Sequence, residues 1–83
     1  MYTIDTDSAA IHEIATLPLT ALPHYAQAIG VLELTPWNGI PYNDAKPDGI
    51  MRSLLFGDGR GKVTYLILED QRRVDVLKVM WFD

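Results

Sequence analysis

The spacing of apolar residues changes character near position 51. Before it the apolar positions mostly follow a helical period; after it they alternate. The first residues are an exception, because Tyr2-Thr3-Ile4 is aromatic and β-branched and reads as a brief strand. Asp5-Thr6-Asp7-Ser8 then offers several helix-capping side chains, with Asp7 also suited to a helix dipole. Residues 8–16 are expected to be a short helix, with Ile11, Ile14 and Leu17 on one stripe and Pro18 as its stop. A second helix is expected over 21–34, capped by Thr20. Pro23 falls in its first turn, and Leu22, Tyr25, Ala26, Ile29 and Leu32 recur at spacings of three and four. Joined by so short a link, the two should form an antiparallel hairpin.

Residues 36–50, PWNGIPYNDAKPDGI, are crowded with Pro, Gly, Asn and Asp and read as a structured loop, with Trp37 and Tyr42 as its anchors. Strands follow at 51–56, 62–69 and 73–81, with GDGRG and Asp70-Gln71-Arg72 as turns. Neither connection has room for a crossover helix, so these three strands should form an antiparallel meander. The expected fold is α+β: an N-terminal strand and an antiparallel two-helix hairpin packed on a four-stranded, mainly antiparallel sheet. All of it forms one domain over 1–83.

Size and composition narrow the chemistry. A chain of 83 residues has a marginal core and is expected to lean on a partner or on self-association. It has no cysteine, which excludes disulfides, thiolate chemistry and cysteine-ligated zinc or iron–sulfur sites. The acidic start does not resemble a signal peptide, and no apolar run approaches membrane-spanning length. A soluble, cytoplasmic protein without membrane contact is the simplest expectation. The formal net charge is −4, yet all seven Lys and Arg fall at or after position 46. Such asymmetry argues against a general nucleic-acid coat and for a local anion site in the C-terminal half.

GDGRG lacks the Lys-Ser/Thr ending and the following helix of a phosphate loop, so it reads as a hairpin turn. His12 and His24 fall in no metal-binding pattern, and neither Ser8 nor Ser53 has the context of a nucleophile. Neither metal nor cofactor is expected. The cations carry more weight. Arg60 and Lys62 should mark one end of the meander. With residue 56 paired near 62, Arg52 should lie opposite Ile67, at the end where Arg72 and Arg73 sit. They are either solvated sheet positions or a site for phosphate or an acidic peptide.

LELTPWNGIPY at 32–42 and MRSLLFGDGRGKVTYLILEDQRRVDVLKVMW at 51–81, in this order of elements, resemble the RelE/ParE superfamily of toxins from bacterial toxin–antitoxin systems, especially actinobacterial members. The resemblance implies either ribosome-dependent mRNA cleavage, as in RelE-like members, or inhibition of DNA gyrase, as in ParE-like ones. It also implies an antitoxin partner that wraps the toxin. Arg52 matches the basic residue on the first meander strand and Lys62 the one opening the next. In the ribonuclease picture both would be catalytic, orienting the scissile phosphate and stabilising its transition state, with Arg60, Arg72 and Arg73 as further RNA contacts. Tyr65 matches a recurrent tyrosine, read as packing. The second basic position of the Arg52 strand falls at Leu54, and Trp81-Phe82-Asp83 does not match the basic residues and Tyr or His near the C-terminus of ribonuclease members. The alternative is a non-catalytic protein of the same fold that binds gyrase or only its antitoxin.

Overall fold

The computed structural model describes residues 1–82. Strand β1 (Thr3–Thr6) leads into helix α1 (Ser8–Ala15), and a single 3-10 turn at Leu19–Ala21 precedes helix α2 (Leu22–Leu34). A second 3-10 turn, Pro36–Asn38, opens onto strand β2 (Ile40–Pro41). Strands β3 (Met51–Phe56), β4 (Gly61–Leu68) and β5 (Arg73–Trp81) complete the chain.

The meander is as expected, but the sheet has five strands, in the order β1-β5-β4-β3-β2. The added strand is β2, two residues within the stretch read as loop. Ile40 pairs with Ser53 and Pro41 with Arg52. Its brevity and its proline hide it from any periodicity argument. The sheet is mixed, because β1 runs parallel to β5 while the other pairs are antiparallel. Phe56 faces Gly61 and Arg52 faces Tyr65, so the meander register differs from the expected one. Gly57, Asp58 and Gly59 all take positive φ (61°, 60° and 86°), a run of left-handed conformations that needs glycine at its ends.

Asp7 caps α1 as expected, its carboxylate accepting from the Ala9 amide at 3.1 Å. Thr20 does not cap α2. It lies inside the 3-10 turn, and α2 begins after Ala21 without a side-chain cap. The buried faces are also rotated from the expected stripes. Ala10 is buried and Ile11 exposed on α1; Tyr25, Ala28 and Leu32 are buried on α2, while Ala26 is exposed. On α1 the small Ala10 is the fully buried contact and lets the helix approach the sheet closely, while Ile14 and Leu17 of the expected stripe pack against the core and Ile11 turns to solvent.

Both helices cover the same face. Their buried side chains join Val63, Tyr65, Ile67, Val74, Val76 and Val79 in one core. On β5 the alternation slips: Val76 pairs with Tyr65 and Lys78 with Thr64, leaving Leu77 without an opposite residue. This bulge returns Val79 to the core face after Val74 and Val76. No helix of the described residues is long and apolar enough to cross a membrane.

Candidate functional site

The face of the sheet away from the helices carries the alternate set of side chains. Its cross-strand rows follow from the register: Ile40, Ser53, Thr64 and Lys78 form one, Leu55, Lys62 and Met80 the next. A third contains Met51, Leu66, Asp75 and Asp5. Lys62 and Lys78 are therefore diagonal neighbours on adjacent strands, the arrangement that sets Cα atoms about 7–8 Å apart. Between and beside them lies a hydroxyl pair, Ser53 Oγ to Thr64 Oγ1 at 3.3 Å, both residues buried.

Lys62 is half-buried, and among the described residues its ammonium makes no ion pair or hydrogen bond. Lys78 is exposed and sits 3.7 Å from the Glu13 carboxylate, whose other oxygen accepts the Val79 amide at 2.9 Å. Glu13 thus satisfies an amide on the part of β5 that lies beyond β1. Sequence reasoning missed Lys78, because its face is set by the bulge at Leu77.

Arg52 lies on the opposite face. It pairs with Tyr65, a core residue, and is itself buried. Its guanidinium donates to three backbone carbonyls: Gly39 at 2.8 Å, Pro47 at 2.6 Å and, more weakly, Trp37 at 3.4 Å. It also stacks on the Trp37 ring, 5.0 Å from its centroid. Arg52, rather than Tyr42, is the loop's anchor; Tyr42 is 59% exposed. The expected meeting of Arg52 with Arg72 or Arg73 does not occur. Arg52 and Lys62 face opposite ways because the nine residues between them include a turn whose register puts them out of phase.

Arg72 belongs to a different cluster. Glu69 Oε1 accepts from the Tyr2 hydroxyl (2.6 Å) and the Trp37 indole (2.8 Å), while Arg72 donates to Glu69 Oε2 at 2.8 Å and lies over the Tyr2 ring. These bonds, that of Tyr2 foremost, pull the Glu69 carboxyl down to about 2. Arg73 is held by Asp75 through two bonds of 2.7 and 3.2 Å. Arg60 is exposed in the β3–β4 turn. Tyr65 is structural, as read: its hydroxyl donates to the Pro36 carbonyl at 2.6 Å and burial pushes its pKa up to about 12.

Two hollows adjoin the open face. One, of about 460 Å³, is lined by Ile40, Pro41, Tyr42, Ser53, Leu55 and Lys62. The other, about 420 Å³, is formed by Tyr42, Asn43, Lys46, Gly49, Ile50 and Met51. The site thus combines two cations, two hydroxyls and an apolar lip. Among the described residues no cluster of His, Asp or Glu has the arrangement of a metal site.

No protein-family model matches the chain, and no curated protein does. Solved structures do. The isolated E. coli RelE toxin matches all of the chain and 86% of its own, with a TM-score of 0.80 at 14% identity. The intact E. coli RelBE toxin–antitoxin complex gives the same score and identity, with 100% of this chain and 99% of that one covered. An archaeal RelE–RelB complex from Pyrococcus horikoshii matches 96% of the chain and 93% of its own, with a TM-score of 0.66 at 13% identity. The chain has the RelE fold.

Proposed function

We propose that the chain is the toxin of a toxin–antitoxin pair, acts on RNA through the open face of its sheet, and is silenced by a protein antitoxin. The fold it shares with RelE structures, two of them complexes with an antitoxin, supports the pairing. The observation that carries the activity is the diagonal of Lys62 and Lys78 beside the Ser53–Thr64 hydroxyls, on a face no helix covers.

A phosphodiester lying across this diagonal would have its non-bridging oxygens against two ammonium groups. The adjacent 2′-hydroxyl releases its proton to solvent water and attacks phosphorus, the bond to the 5′ oxygen breaks as that oxygen takes up a proton, and a cyclic phosphate and a free 5′-hydroxyl result. The lysines hold the negative charge that grows on the phosphoryl oxygens and can lend a proton to the departing oxygen. The protein's part is positioning and positive charge. Arg52 enters this reading as a positioning residue, since its guanidinium is spent on the loop, and Arg72 and Arg73 as supports of the frame.

The test is induction of the chain without its genomic neighbour, with growth and mRNA integrity followed together. Toxicity with cleaved mRNA is expected. Lys62→Ala and Lys78→Ala should each reduce cleavage by about 100-fold, the usual size for loss of one charge-stabilising donor. Arrest with intact mRNA and blocked DNA supercoiling would select gyrase instead. That second reading is favoured by one observation: exposed Ile40 and Leu55 give the face an apolar side better suited to protein than to RNA.

A further inference from the structure

Tyr42 stands at the rim of the open face. Ile40 belongs to that face, and strand alternation returns Tyr42 to it after Pro41. The Tyr42 amide donates to the Met51 carbonyl at 2.9 Å, which fixes the backbone under the ring. The ring is exposed, and among the described residues its hydroxyl makes no hydrogen bond. It separates the two hollows and is the one aromatic ring lining either. Lys62 lines the larger hollow and Lys46 the smaller, and no acid lines them. Among the described residues, neither ammonium is in an ion pair. Charge differs on the other side of the face. There the row through Met51 ends in Asp75 and Asp5, Glu13 sits against Lys78, and Arg73 is already held by Asp75. A polyanion leaving the Lys62–Lys78 diagonal therefore meets carboxylates toward β1 and free cations toward β2.

We propose that Tyr42 is the platform on which one base of the bound RNA stacks, next to the phosphate held by Lys62 and Lys78, and that Lys46 takes the phosphate beyond it. This role rests on the open face's being an RNA surface, and it adds the direction in which the strand leaves the lysine diagonal. Single-stranded nucleic acid is held by cations for its phosphates and aromatic rings for its bases. Lys62, Tyr42 and Lys46 follow that alternation across adjoining hollows. Ile40 and Leu55 line the hollow on one side of the ring, Ile50 and Met51 the hollow on the other, and this aliphatic surface accepts the flat face of a base. Every base has such a face, so the stack supplies affinity rather than sequence choice. The ring acts through its face, and its hydroxyl is dispensable.

The experiment uses the full chain and a short 2′-O-methyl oligoadenylate, which lacks the attacking hydroxyl and stays intact. The same backbone without bases is the second probe. Binding is followed by NMR at the Tyr42 ring and at the Lys62 and Lys78 side chains. Tyr42→Ala should weaken the oligoadenylate about tenfold and leave the abasic backbone bound as before. Tyr42→Phe keeps the ring and should restore the loss. Lys46→Gln should lower the slope of log affinity against log salt by about 0.7, the value for one phosphate contact on a single strand. Tyr42 and Lys46 are exposed, so these variants should fold. Lys62→Gln and Lys78→Gln report on the surface itself and should weaken both probes. If they do so while Tyr42→Ala weakens neither probe, or both equally, the platform is overturned and the RNA surface stands. An unaltered salt slope in Lys46→Gln overturns the proposed direction. If neither probe binds, or the Lys62 and Lys78 variants have no effect, the RNA reading fails and the platform with it.

Discussion

The Arg52 guanidinium donates to the Gly39 carbonyl at 2.8 Å and so ties strand β3 to the loop that carries the sheet's apolar lip. A residue matched by sequence to phosphate binding thus turns out to be a clamp. The same nitrogen reaches the Trp37 carbonyl, and its twin reaches Pro47.

Removing that clamp leaves buried carbonyls without donors. Arg52→Ala should destabilise the fold by about 2–4 kcal/mol, measured by chemical denaturation. Arg52→Lys should recover little, because one ammonium cannot span acceptors on both sides of the fork. Amide exchange in residues 39–50 should rise in both variants. Unchanged exchange there would show that the loop is held by something else.

Gly39 is required for space rather than for backbone freedom. Its φ is an ordinary −68°, but a Cβ would collide with the Tyr65 hydroxyl and crowd the Ser53 carbonyl. Gly39→Ala should cost about 1–3 kcal/mol through overpacking. Pairing it with Tyr65→Phe should return part of the loss, and a double-mutant cycle measures how much.

The Glu69 cluster should make stability depend on acid pH. The folded carboxyl titrates at about 2 against an ordinary 4.5, so its contribution is complete above the unfolded value. It is lost as pH falls from about 4.5 toward 2. Glu69→Gln should flatten the denaturation midpoint over that window and lower it at neutral pH. A slope unchanged by the substitution would place the pH dependence elsewhere.

Glu13 should protect one backbone group in particular. Its carboxylate accepts the Val79 amide at 2.9 Å where β5 runs on past β1. Glu13→Ala should speed exchange of that amide and cost about 1 kcal/mol; Glu13→Gln keeps an acceptor and should cost less. Equal protection in both variants would mean that another group satisfies it.

Much of the framework could be read from local chemistry. The meander followed from alternation and from GDGRG, the stop of the first helix from Pro18, and its start from Asp7. The cations were legible as residue types but not as a site. Arg52 and Lys62 looked alike in sequence, yet one faces the loop carbonyls and the other the open face.

What the sequence determined by itself was the kind and order of most elements, because capping, turn geometry and residue period act over a few neighbours. Tertiary structure alone decided that β1 lies parallel to β5, that two residues of a loop become a fifth strand, and which cations share a face. Those outcomes depend on strand register, and the bulge at Leu77 shifts register by one residue. In a sheet with a period of two, one residue is the difference between the core and the site.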